Sequence, residues 1–181
     1  TIFVDESRDH EMQIKHAIDK LCAEICKFVN EGGSIVILSD RHISAQQIAL
    51  PMIMVVSAVN QSLIEQGIRF KASIVVESGQ IASAHHSACA LGFGAAAIYP
   101  LAVQLRAEEK FADDPAKAYQ RYVKAAEKSL MKTMGKVGLC TVESYSGGEF
   151  FEPNFLDTND PTFLKYFPNM RSPVGGVGFS T

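Results

Sequence analysis

Between Val75 and Pro100 the chain reads VVESGQIASAHHSACALGFGAAAIYP, which puts a carboxylate, a hydroxyl and two imidazoles within residues 77–86. Groups of these types could transfer protons, activate a nucleophile or hold a metal. Each chemistry demands a geometry. Adjacent residues on a helix point about 100° apart, so His85 and His86 cannot both face one site. A helical metal pair wants ligands at i and i+4. From His85 that position is Cys89, which makes two ligands and supplies no third. Ser78 is not in a G-x-S-x-G elbow, and no acid stands where it would orient an imidazole. The reading favoured here is that one histidine hydrogen-bonds a neighbouring loop carbonyl or carboxylate and fixes an interface.

Two strings end alike, VVES at Val75 and TVES at Thr141, and ILSD at Ile37 ends in comparable polarity. If all three are parallel strands, their ends share one edge, where ligands of α/β proteins usually sit. Asp40-Arg41, Glu77-Ser78 and Glu143-Ser144-Tyr145 are then expected to converge at the C-terminal rim of the sheet. Such a rim could bind an anion; it could equally cap helix N-termini and pin loops, and the structural role is favoured. The glycines of GFGAAA precede a strand instead of following one, so they fail as a dinucleotide fingerprint.

The elements that must position these residues follow from periodicity. Glu11 to Asn30 carries Ile14, Ile18, Leu21, Ile25 and Phe28 at helical spacing and stops at Gly32-Gly33. Ser34 to Asp40 is an unbroken apolar run, read as a strand buried on both faces. A helix from Pro51 to Gln66, a strand from Lys71 to Ser78, and a short helix from Gln80 to Leu91 closed by Gly92 come next. AAAIYP is a weaker third strand, and Leu101 to Asp113 is less regular with helical character. Asp114-Pro115 opens a long helix to about Lys136, with Tyr119, Tyr122, Val123, Ala126, Leu130 and Met134 on one face. Gly138 to Ser144 is read as a fourth strand. Beyond it the chain is aromatic and turn-rich, with one short helix at Pro161 to Phe167. The alternation predicts an α/β fold of parallel β/α units, either an incomplete TIM-barrel-like arc or an open parallel sheet flanked by helices.

The length of 181 residues suits one domain with a real core. A net charge of −3 gives no reason to expect nucleic acid or an anionic membrane as partner. No apolar run is long enough to span a bilayer. Cys22 and Cys26 are four apart on a helix, and Cys89 and Cys140 are distant, which reads as free thiols in a cytoplasmic protein. The chain begins at Thr1 and finishes in the glycine-rich RSPVGGVGFST, so we expect a longer parent.

Taken in order, ILSDR, ALPMIMVVSAV, VVESGQIASAHHSACALGFGAAAIYP, YVKAAEKSLMKTMGKVGLCTVESYSGGEFFE and RSPVGGVG resemble the central domain of the glutamate synthase large subunit. The resemblance covers nearly all 181 residues. It implies a (β/α) domain related to a TIM barrel, lying between a glutamine amidotransferase domain and an FMN-binding barrel that also carries an iron–sulfur cluster. The implied role is to hold those centres in place and to wall part of an ammonia tunnel. The implied parent reaction makes glutamate from glutamine and 2-oxoglutarate, with electrons from a small reductase subunit or ferredoxin. Residues 1–181 then form one domain, with 146–181 an irregular tail leading toward the next. No cofactor, metal or catalytic residue is expected within the segment: Thr1 is not a nucleophilic cysteine, and the four cysteines form no cluster-binding triplet. Departures from the family pattern are Ser146 in place of an arginine, Asn60-Gln61-Ser62 in place of histidines, and Tyr99 in place of an asparagine. Serine cannot replace the bidentate donor an arginine provides.

Overall fold

The computed structural model describes residues 2–3, 10–44, 47–148 and 150–179; Thr1 and Glu149, used in the sequence reading, lie outside them. Three parallel strands form the centre: β2 (Ile35–Ser39), β4 (Ser73–Ser78) and β5 (Ala97–Pro100), in the spatial order β2-β4-β5. Two peripheral ladders flank them. Strand β1 (Ile2–Phe3) pairs antiparallel with β3 (Gln47–Ile48), and β6 (Phe155–Leu156) pairs parallel with β7 (Gly176–Val177). The helices are α1 (His10–Asn30), α2 (Met52–Glu65), α3 (Ala84–Gly92), α4 (Leu101–Lys110), α5 (Pro115–Val137) and α6 (Pro161–Tyr166).

Sequential strands joined by right-handed crossovers place every crossover helix on the same side of the sheet. Here α2 joins β2 to β4 and α3 joins β4 to β5, and the strand order never reverses. A sheet built this way curves as the wall of a barrel does, and it lacks the switch-point crevice of a doubly wound fold. The core lies between the sheet and the helices: Val36 and Leu38 of β2 and Ile74 and Val76 of β4 meet Ile18 and Val29 of α1 and Val56, Val59 and Leu63 of α2.

The other face is open. Residues in register share a face, and one row runs Ile37, Val75, Ala97 while the next runs Ser39, Glu77, Tyr99. Ile35 is 61% exposed and Ile37 64%. The expectation of a strand buried on both faces is therefore corrected: the Ser34 to Asp40 run is covered on one face only, because no helix among the described residues covers β2 from the far side. Grooves border both edges of the sheet, one of about 230 Å³ beside β2 and one of about 340 Å³ between β5 and α5.

Helix α5 follows its sequence signals. Asp114 caps it by accepting from the Lys117 N–H at 3.0 Å, Pro115 occupies the first turn, and Gly138 ends it at φ 81°, where a side chain would be strained. After it the fourth strand fails to form: Gly138 to Ser144 runs in turns. The chain instead seats Tyr145 beneath the C-terminal end of α3, where the Gly147 N–H donates to the Gly92 carbonyl at 2.8 Å and the Ser146 hydroxyl to the Leu91 carbonyl at 3.0 Å. Farther on, the carboxylate of Asp160 caps α6 through the N–H groups of Thr162 and Phe163 and receives Phe179 N–H on its other oxygen. Burial pushes that carboxyl up, but the three donors outweigh it and hold it below the ordinary range.

Candidate functional site

The ends of β2 and β4 meet in two layers. In the lower one Asp40 and Ser78 are buried, and the Ser78 hydroxyl donates to Asp40 Oδ2 at 2.6 Å. Asp40 Oδ1 receives the Gly79 N–H at 2.9 Å. Gln80 completes the tie: its amide donates to the Leu50 carbonyl at 2.8 Å while its carbonyl receives the Met52 N–H at 3.0 Å. One carboxylate thus joins two strands to the start of α2, whose Pro51 cap offers no side-chain acceptor.

The upper layer is an ion pair on the open face. Arg41 reaches Glu77 through Nη2 at 2.6 Å and through Nε at 3.2 Å to each oxygen. Ser39 donates its hydroxyl to the same carboxylate. The hydrogen bonds from Arg41, then that from Ser39, hold the Glu77 carboxyl below its usual range, and Glu77 raises the guanidinium in return. Tyr99 stands beside them in register and 6.2 Å from the Tyr119 ring. Arg41 is thus engaged by Glu77, and no other Lys or Arg stands at these strand ends among the described residues.

The remaining candidates lie elsewhere. His85 and His86 are exposed in the first turn of α3, with ring centroids 6.3 Å apart. His86 Nδ1 accepts the Ala82 N–H at 3.4 Å, so its partner is a backbone donor and not the carbonyl or carboxylate expected. His85 Nε2 lies 3.7 Å from Cys89 Sγ, and burial raises that thiol. Among the described residues no cluster of three His, Cys, Asp or Glu side chains could hold a metal. Glu143 and Ser144 are exposed in the turns after α5, and Ser144 meets the Thr141 hydroxyl at 2.9 Å. Tyr145 is buried, stacked on Phe150 at 5.3 Å and edge-on to Phe151 at 6.0 Å. These three sit at the end of α3 remote from the rim, so their expected convergence with Asp40 and Glu77 is corrected. The cause is the missing fourth strand.

Sequence reading missed three participants. Ser39 and Gln80 flank the rim groups directly in the strings ILSD and VESGQ, and hydrogen-bonding residues at strand ends were the available signal. Arg69 was not legible. It donates to Asn60 Oδ1 at 2.6 Å, the Ala72 carbonyl at 2.7 Å and the Gly94 carbonyl at 2.8 Å, tying the ends of α2, β4 and α3 below the sheet.

A one-sided arc of parallel β/α units defines a fold of the TIM-barrel kind. Solved structures bear this out for the fold. Flavocytochrome b2 with sulfite bound matches 70% of this chain and 32% of its own at a TM-score of 0.57 and 17% identity. The recombinant flavin-binding domain of baker's yeast flavocytochrome b2 matches 69% and 31% at 0.55. The sequence profile of the glutamate synthase central domain matches residues 1–155, and the chain belongs to that family. Relatives include the glutamate synthase [NADPH] large chain of Bacillus subtilis, 32% identical over 86% of this chain and 10% of its own. The chloroplastic ferredoxin-dependent glutamate synthase 2 of Arabidopsis thaliana is 32% identical over 97% of this chain and 12% of its own. The chain thus spans about a tenth of the length of these relatives. No helix among the described residues is long and apolar enough to cross a membrane.

Proposed function

We propose that residues 1–181 act as the connecting domain of a cytoplasmic glutamate synthase large subunit. The domain positions an amidotransferase domain and an FMN-binding domain, with 146–181 leading toward the latter, and supplies wall to the tunnel that carries ammonia between them. The observation that carries this reading is the aliphatic face of the sheet at Ile35 and Ile37, which nothing within the described residues covers. An exposed apolar sheet face beside two edge grooves is a surface for a tightly docked neighbour. The parent makes glutamate from glutamine and 2-oxoglutarate, with FMN and an iron–sulfur cluster held by other domains. Its electrons come from a small reductase subunit or ferredoxin, and the relatives' names include NADPH, NADH and ferredoxin. The segment itself performs no chemistry. A rim site for a small anionic metabolite is the weaker reading, because Arg41 is already engaged by Glu77.

The test uses the purified chain. It should show no flavin absorbance after incubation with FMN and no release of ammonia from glutamine. Stoichiometric FMN on this chain would overturn the assignment.

A further inference from the structure

Helix α5 carries an unbalanced charge that the net value of the chain conceals. Lys117, Arg121, Lys124, Lys128, Lys132 and Lys136 face the single anion Glu127, in a chain whose net charge is −3. At 3.6 residues per turn the first five fall within roughly a quarter of the helix circumference, opposite Tyr119, Tyr122, Val123, Ala126 and Leu130. All six are exposed, and none is ion-paired among the described residues.

A merely solvated helix face interleaves its signs, because opposite charges at i and i+4 stabilise and like charges repel. Here 117–121, 124–128, 128–132 and 132–136 are all like-charged i, i+4 pairs. The helix tolerates this with one buried side chain, Met134. Such a stripe weakens the free chain, and an anionic counterpart relieves the repulsion.

We infer that the cationic stripe of α5 is a docking surface for an acidic protein face, separate from the open sheet face and independent of the role assigned above. Two observations select the partner. The apolar side of α5 is turned inward, with Leu130 and Met134 packed near Ala88 and Leu91 and the Tyr122 hydroxyl donating to the Ala82 carbonyl, so it cannot insert into a lipid surface. The exposed residue beside the stripe is Met131, 73% exposed, a flexible apolar contact suited to a protein surface and not to base stacking.

The test measures anisotropy of fluorescein-labelled poly-L-glutamate with the 181-residue chain, beside labelled oligodeoxythymidylate and phosphatidylserine vesicles. Binding of polyglutamate should weaken at least ~10-fold between about 20 and about 200 mM NaCl. The variant R121E/K128E should abolish it, while K15E/K20E on α1, with the same change in net charge, should retain it. Because R121E/K128E turns like-charge neighbours into opposite ones, its Tm should rise by ~2–4 °C. Equal loss in the two variants would overturn the inference. So would tighter binding to the oligonucleotide or vesicles, a stripe-dependent self-association at low salt, or an unchanged Tm in R121E/K128E.

Discussion

Ser78 is fully buried and donates its hydroxyl to the buried carboxylate of Asp40, across the ends of two parallel strands. One residue away on each strand, Arg41 and Glu77 pair in the open. The polar strand ends that invite a catalytic reading thus satisfy one another.

Removing the buried tie should cost stability and nothing else. Ser78→Ala leaves an Asp40 oxygen short of a donor, and Asp40→Ala strands the Ser78 hydroxyl and the Gly79 N–H. Each loss is on the order of 1–3 kcal/mol, the larger for Asp40. Urea unfolding followed by circular dichroism measures it. A midpoint unchanged in Asp40→Ala would contradict the tie.

The exposed pair has a distinct pH signature. Glu77 is held below its ordinary range by Arg41, so the folded state binds fewer protons there than the unfolded chain does. Its contribution is present above the unfolded carboxylate range and is lost as pH falls through the depressed folded value. Comparing Glu77→Gln with the parent chain by urea titration from neutral to acid should show a gap at pH 7 that closes in acid and shrinks with salt. A gap that widens on acidification would rule the pairing out.

Zinc gives the paired histidines their own test. His85→Ala and His86→Ala should both leave Tm nearly unchanged, because both rings are exposed and water replaces the 3.4 Å bond to the Ala82 N–H. Added zinc should not protect the chain in either case. A zinc-dependent rise in Tm that His85→Ala removes would restore a ligand role.

Much of the fold was legible because helical periodicity is local. Ile14, Ile18, Leu21 and Ile25 mark α1 unaided, and Gly32, Pro51 and Asp114 sit where helices begin or end. What was illegible depended on distant partners. Ile35 and Ile37 look like core residues because a barrel wall and a two-faced sheet both want apolar groups on each face of a strand. Gly138 to Ser144 was misread because strand formation needs a neighbour. Its apolar residues are Leu139, Cys140 and Val142, of which only Cys140 and Val142 share a face, too short a row to hold a strand without a partner. The rim was half readable for the same reason: Asp40 and Glu77 follow real strands, whereas Glu143 follows none.

The connecting-domain role is tested most directly through the open sheet face. Ile35→Gln with Ile37→Gln changes exposed side chains, so the isolated chain should lose no more than about 1 kcal/mol. In the large chain carrying these residues, the measurement is the ratio of glutamate formed to glutamine hydrolysed. The role predicts that the double variant hydrolyses glutamine while passing less of its ammonia into glutamate, so that the ratio falls. Full coupling, with both rates unchanged, would contradict it.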